Sequence, residues 1–263
     1  RPPEPLTSIS VSGGWHDSAM ETVELIEILD REGRLLADAA AEAGVDAPVP
    51  TCPDWRVRDL LSHIGRVHGW ASRIVGEGLT EPVRPAVDPA PPDTELVAWY
   101  REVHGRLVDT LTQADPELKC FTFLPTSSSL AFWARRQAHE AAIHRVDAES
   151  ARGGELSPFT PEFAADGVDE LLAGFHGLDR SKVRTDTPGT LRVRAMDQDA
   201  VWTIRLSQDA PRTERHGEGA ADCELGGPAR DLYLALWNRL PITALSTEGD
   251  GKLAELWRER SGI

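Results

Sequence analysis

The stretch that decides the fold of the first half of this chain is Ala134–Glu149, which reads ARRQAHEAAIHRVDAE and has helical spacing. At about 100° per residue, Glu140 and His144 lie about 40° apart on the helix surface. Trp133 and Ile143 fall on the same face, which predicts that this face points into the protein. A carboxylate in a protein interior is costly unless it is paired, protonated or bound to a metal ion, so Glu140 needs a partner.

The opposite side of this helix carries no large apolar side chain and is predicted to be its solvent face. Its residues are Arg135, Ala138, Ala142, Arg145 and Glu149. Arg136 and Asp147 lie within about 40° of Glu140 and are predicted to surround it. His139 is rotated by about 140° from His144, so we expect it to flank the site rather than to share a metal ion with His144.

An antiparallel four-helix bundle is predicted for residues 20–154, because four stretches have apolar residues at helical spacing and mostly short connections. These stretches are 21–43, 57–75, 95–112 and 130–151. Gly44 and the pair 153–154 are predicted helix stops, and serines 127–129 are predicted N-caps.

A small α+β domain is predicted for residues 155–263. Its elements are a helix at 161–175, a hairpin of strands 190–195 and 201–206, a strand near 222–225, and helices at 229–240 and 252–260. Residues 1–19 are rich in Pro, Ser and Gly and are predicted to be a disordered extension or tag.

Composition limits the classes of function. The 263 residues carry a formal net charge of −15, which disfavours non-specific binding of nucleic acid or of an anionic membrane. Three separated cysteines signal neither a disulfide framework nor a thiolate zinc site, and no stretch suggests a membrane span or a signal peptide. We expect a cytoplasmic protein that is a monomer or a weak dimer.

His63 is a third candidate for the site of Glu140 and His144. It shares a face of its predicted helix with Leu60 and Val67, so it is also predicted to point inward. Two imidazoles and one carboxylate suit a zinc ion that keeps one position open. From spacing alone, the alternative is that these are hydrogen-bonded core groups, with Arg136 neutralising Glu140.

Two motifs resemble the mycothiol-dependent maleylpyruvate isomerase family. They are VPTCPDWRVRDLLSHIG at 49–65 and RQAHEAAIHRVDA at 136–148, and LGGPARDLYLALWNR at 225–239 also matches. The resemblance implies a DinB-like metal-binding four-helix bundle followed by a sterol-carrier-like α+β domain. It also implies metal binding by His63, Glu140 and His144. Arg56 stands where relatives often have Thr or Ser, so we expect the capping box with Asp59 to be lost.

The resemblance further implies the cofactors Zn²⁺, or another divalent metal, and mycothiol. The metal would favour the thiolate, which would add to a small electrophile, either to isomerise a cis double bond or to transfer the sulfur. Arg136 and Arg239 are candidate catalytic residues for a dicarboxylate substrate, and His139 and Asp147 are candidates for supporting the metal ligands. The competing hypothesis is a non-catalytic protein that binds a metal or an apolar ligand.

Overall fold

The computed structural model describes residue 18 and residues 20–83, 90–217 and 219–262. The described residues form two compact units, of which the first ends at Pro158 and the second begins at Phe159. Of the predicted extension at residues 1–19, all but residue 18 lie outside the described residues. Within the described residues, no helix combines the length and the apolar character that crossing a membrane requires.

The first unit contains the four predicted helices, and each observed end lies within one residue of the predicted end. They are α1 (Thr22–Ala43), α2 (Val57–Gly76), α3 (Leu96–Gln113) and α4 (Ser129–Arg152). Gly44 ends α1 at a φ of 83°, a conformation that favours glycine. The Ser128 side chain caps α4 by accepting a hydrogen bond from the Ala131 N–H at 3.2 Å, as the serine run predicted.

The predicted solvent face of α4 is wrong, because α4 packs against the other three helices of its unit. All five residues assigned to that face are buried: Arg135, Ala138, Ala142, Arg145 and Glu149. Arg145 donates from Nε to Glu32 at 2.8 Å and from Nη1 to Glu149 at 2.6 Å. Ser157 donates its hydroxyl to Glu149 at 2.6 Å. Arg31 also pairs with Glu32 at 2.9 Å, so two cations balance the two carboxylates. This balance allows a face without large apolar side chains to be buried.

The predicted loss of the capping box at Arg56 is only half right. The Arg56 N–H donates to Asp59 Oδ2 at 2.9 Å, so the half of the box that depends on Asp59 survives. An arginine side chain has no acceptor atom, so the other half cannot form. The nearby hydroxyl of Thr51 does not cap α2, since it bonds to Asp147.

The second unit is built on a five-stranded mixed sheet in the order β3-β2-β1-β4-β5. The strands are β1 (Gly189–Ala195), β2 (Ala200–Leu206), β3 (Arg212–Arg215), β4 (Cys223–Gly227) and β5 (Ser246–Gly249). Strands β1 and β2 form the predicted antiparallel hairpin, whereas β4 runs parallel to β1. The sequence did not predict β3 and β5, each of which has only four residues.

The described residues of the second unit also form three α-helices, a π-helical segment and a short 3₁₀-helix (Ile242–Ala244). Helix α5 (Pro161–Asp169) continues as a π-helix over Glu170–Phe175, and α6 (Ala229–Leu236) and α7 (Gly251–Arg260) follow the sheet. Helix α6 is four residues shorter than predicted, since the chain turns at Asn238 with a φ of 59°. The π-helical turn was also not predicted, because its residues continue the same apolar spacing.

Candidate metal centre

Three side chains from α2 and α4 converge on one point. Nitrogen atoms of His63 and His144 and a carboxylate oxygen of Glu140 all lie within 4.8 Å of one another. Glu140 Oε1 is 3.4 Å from His63 Nε2 and 3.4 Å from His144 Nε2. The two imidazole rings meet edge to face, with centroids 5.0 Å apart. The packing of α2 against α4 therefore joins His63 to the pair that helical spacing had already placed together.

The two separations between Glu140 Oε1 and the imidazole nitrogens match those around a tetrahedral metal ion. Two metal–ligand bonds of about 2.1 Å that meet at a tetrahedral angle separate their donor atoms by about 3.4 Å. The same separation of 3.4 Å allows only a weak hydrogen bond between an imidazole and a carboxylate. The donor set, two imidazoles and one carboxylate, is one that zinc accepts in sites with an open position.

Arg136 lies against the carboxylate of Glu140. Its Nη2 donates to Glu140 Oε2 at 3.1 Å, and the arginine is 3% exposed. Burial alone would raise the pKa of Glu140, but hydrogen bonds from His144 and His63 and the charge of Arg136 hold that pKa well below its usual value. Glu140 is therefore ionised, with one oxygen turned to Arg136 and the other to the two imidazoles.

Asp147 holds the other edge of the His144 ring. Its Oδ2 lies 2.8 Å from His144 Nδ1, and the aspartate is fully buried. Burial alone would lower the pKa of His144, but the bonds to Asp147 and Glu140 raise it to about 9. With Nδ1–H donated to Asp147, the ring directs Nε2 toward Glu140. A metal ion at that position would compete with a proton for Nε2.

The loop before α2 adds three residues that sequence reasoning had not assigned to the site. Thr51 donates its hydroxyl to Asp147 Oδ1 at 2.6 Å, and Cys52 Sγ lies 3.6 Å from Asp147 Oδ2. The Trp55 ring lies 5.0 Å from the His63 ring and 6.0 Å from the His144 ring, measured between centroids. All three residues belong to the motif VPTCPDW at 49–55, which carries part of the family resemblance and is the sequence signal for their place in the site.

The site is more open on the side of His63 than on the side of α4. The side chain of His63 is 40% exposed and that of Glu140 21%, whereas that of His144 is 11% exposed. Trp55, half-buried, borders the two imidazoles. His63 is thus the most accessible of the three candidate ligands, and His144 the least.

Two predicted site residues are not part of this convergence. His139 is fully buried on α4, but it does not belong to the group of candidate ligands found among the described residues. Arg239 belongs to the second unit, where its Nη1 donates to the backbone carbonyl of Trp237 at 2.8 Å. The supporting role predicted for His139 and the catalytic role predicted for Arg239 stay predictions.

Comparison with known proteins identifies both units. Residues 26–149 match the family model described as mycothiol maleylpyruvate isomerase N-terminal domain. Residues 162–256 match the model for the C-terminal domain of the same family. A search of curated protein sequences gave no match.

Solved structures support the same conclusion for the fold. A crystal structure of the mycothiol-dependent maleylpyruvate isomerase aligns with a TM-score of 0.57 at 11% identity, covering 87% of this chain and 93% of that chain. A histidine-to-alanine mutant of that enzyme aligns with a TM-score of 0.56 at 12% identity and the same coverage. With both domain models matched in order, the chain belongs to the mycothiol-dependent maleylpyruvate isomerase family.

Proposed function

We propose that this chain is a zinc-dependent enzyme that uses mycothiol to attack a small electrophile. The observation that carries the proposal is the convergence of His63, Glu140 and His144, with donor atoms 3.4 Å apart on either side of Glu140 Oε1. Membership of the family supports the choice of thiol and of reaction. We place the reaction in the cytoplasm, where thiols are kept reduced.

Each ligand has a defined task in this proposal. His63 and His144 each offer a ring nitrogen, and Glu140 offers one oxygen while Arg136 holds the other at 3.1 Å. When bound, a zinc ion would lower the pKa of a thiol at its open position, which makes the thiolate available at neutral pH. Three protein ligands leave that fourth position for the thiol.

The thiol serves as a cofactor if the electrophile is a cis double bond conjugated to a carbonyl group, as in maleylpyruvate. The sulfur forms a bond to one alkene carbon, and the π electron pair moves to the carbonyl oxygen. The former double bond is then single and rotates. The electron pair returns, the C–S bond breaks, and the trans isomer and the thiolate are released. With an electrophile that carries a leaving group, the C–S bond would form as the bond to the leaving group breaks. The leaving group would depart with its electron pair, and the reaction would be an S-transfer.

The two candidate arginines have different positions in this scheme. Arg136 is 3% exposed and already donates to Glu140, so we assign it to orienting that ligand. Arg239 is half-buried in the second unit and stays our proposed partner for a substrate carboxylate. A small dicarboxylate that carries the electrophilic carbon is the substrate class that this assignment favours.

The test compares two glutamates that each pair with an arginine four residues away on a helix. Glu140→Gln removes the charge of the candidate ligand, and Glu102→Gln does the same at an exposed pair with Arg106. We expect about one zinc per chain in the wild type and in Glu102→Gln, and a loss of at least about tenfold in zinc affinity in Glu140→Gln.

Activity is measured with mycothiol and maleylpyruvate, followed by a panel of other electrophiles. We expect turnover that requires both the thiol and the metal, and that is lost in Glu140→Gln. Wild-type protein with less than about half an equivalent of zinc and a melting temperature unchanged by chelator would contradict the metal assignment. Zinc binding without thiol consumption for any electrophile would support a binding protein instead.

A further inference from the structure

The segment that precedes α2 is a tight loop that folds on itself. Its backbone bonds run from the Val49 N–H to the Trp55 carbonyl at 2.9 Å, from the Cys52 N–H to the Val49 carbonyl at 2.9 Å, and from the Trp55 N–H to the Cys52 carbonyl at 2.8 Å. Pro48 and Arg56 form an isolated antiparallel bridge across its base. The position of Thr51 is therefore set by the backbone of the loop itself.

The side chain of Thr51 contacts two residues of α4 that are distant from it in the sequence. Its hydroxyl donates to Asp147 Oδ1 at 2.6 Å, and its oxygen also lies 3.1 Å from the hydroxyl of Ser150. An ionised carboxylate can only accept hydrogen bonds, so the direction of the bond from Thr51 to Asp147 is fixed. The other oxygen of Asp147 faces His144 Nδ1 at 2.8 Å, so each of the two carboxylate oxygens has a strong donor.

We propose that Thr51 is a positioning residue for the metal ligand His144 and that it acts through Asp147. By holding Oδ1, the threonine fixes the plane of the carboxylate, and Oδ2 then fixes the orientation and the tautomer of the imidazole. This leaves Nε2 of His144 directed at Glu140. The inference rests on the proposed function, since it presumes that these ligands hold a metal ion.

Cys52 contributes less to this arrangement than Thr51. Its sulfur lies 3.6 Å from Asp147 Oδ2, the oxygen that also accepts from His144, and a thiol is a weak donor. The strong bond to the second oxygen comes from Thr51. The loop motif therefore has a specific task, which is to present a hydroxyl to the aspartate that supports the ligand.

The test measures zinc affinity by competition with a chelating dye. We expect Thr51→Val, which keeps the shape and removes the hydroxyl, to weaken zinc binding about tenfold. Thr51→Ser should restore the affinity to within about threefold, because it returns the donor. Thr112→Val is the matched control, since the Thr112 hydroxyl bonds to the carbonyl of its own helix at an exposed position, and it should leave the affinity unchanged.

A double-mutant cycle separates positioning from a general effect on the fold. If Thr51 acts through Asp147, adding Thr51→Val to Asp147→Asn should change zinc affinity by less than about twofold. Nitrogen NMR of zinc-loaded protein gives a second readout, in which the His144 Nδ1–H signal present in the wild type and in Thr51→Ser broadens or shifts in Thr51→Val. If Thr51→Val does not fold, Thr51→Ala takes its place.

The outcomes distinguish this inference from the function on which it rests. Wild-type protein without zinc would overturn the proposed function itself. Wild-type protein that binds zinc, together with a Thr51→Val variant of equal affinity, would overturn the positioning role alone. An affinity loss that persists in full in the Asp147→Asn background would also overturn it, because Thr51 would then act by another route.

Discussion

Arg145 and Glu32 form an ion pair inside the helical unit, with the Nε–Oε2 distance at 2.8 Å and both side chains 0% exposed. Glu149 adds a second carboxylate to the same guanidinium, and Arg31 adds a second cation to Glu32. The two positive charges balance the two negative ones, with the side chain of Arg31 48% exposed and the other three buried. Such a network specifies how α1 lies along α4, and removing one member leaves buried charges unpaired.

We therefore expect Arg145→Met to destabilise the helical unit by about 3–5 kcal/mol. The substitution keeps an apolar stem but leaves Glu149 without its arginine. Arg106→Met breaks an exposed pair with Glu102 and should cost less than about 1 kcal/mol. Urea unfolding followed by helical circular dichroism measures both, and a similar small loss for the two variants would contradict the structural role of Arg145.

Gly33 on α1 leaves no room for a side chain beside the ring of His104. A Cβ atom at this position would overlap the imidazole of His104, so Gly33→Ala should cost about 1–3 kcal/mol by overpacking. Gly105→Ala is the matched control on α3, since a Cβ there meets nothing within 4 Å and should stabilise the helix by about 0.5–1 kcal/mol. Thermal unfolding measures the stability of both variants. A Gly33→Ala variant more stable than the wild type would show that His104 does not pack directly against Gly33.

His176 should make the second unit less stable in acid. Burial, only partly offset by a hydrogen bond with the Ser261 backbone, lowers its pKa from 6.5 to about 4. Below about pH 6.5 the unfolded chain binds a proton at this imidazole and the folded chain does not, so the free energy of unfolding falls as the pH drops toward 4. This loss should amount to about 2–3 kcal/mol.

The variant His176→Asn isolates this contribution. It lacks the titrating ring, so its stability should fall less steeply between pH 6.5 and pH 4 than that of the wild type. Urea unfolding at a series of pH values provides the comparison. Parallel curves for the two proteins would mean that the imidazole of His176 titrates normally in the fold.

His68 is a buried histidine whose two ring nitrogens have no hydrogen-bond partner among the described residues. Its ring lies 5.7 Å from that of Tyr100 and 5.3 Å from that of His104, and burial, aided by the charge of His104, keeps its pKa well below the usual value. Replacing an unsatisfied polar group by an apolar one of similar size is neutral or stabilising.

We therefore expect His68→Leu to leave the unfolding free energy at pH 7.5 unchanged or to raise it by up to about 2 kcal/mol. His68→Gln keeps polar atoms in the same place and should be less stable than His68→Leu. Thermal unfolding of the two variants tests this order. A marked loss of stability in His68→Leu alone would indicate that the imidazole nitrogens are bonded, for example through buried water.

The local elements of the fold could be predicted because the signals are local. The ends of the four helices of the bundle follow from apolar spacing, Gly44 and the serine cap at Ser128, all of which act within a few residues. The β1–β2 hairpin follows from alternation around a polar turn. Strands β3 and β5 escaped prediction because four residues are too few to show a period.

The sequence by itself also determined that Glu140 and His144 share a face, because one helical turn separates them. Which side of α4 is buried was decided only by tertiary packing, since Arg145 meets Glu32 from another helix and both faces become interior. The bond between Thr51 and Asp147 spans 96 residues and leaves no periodic trace in the sequence. Helical spacing records which residues point the same way, but the partner that satisfies a buried charge is chosen by chain segments that meet only in the folded protein.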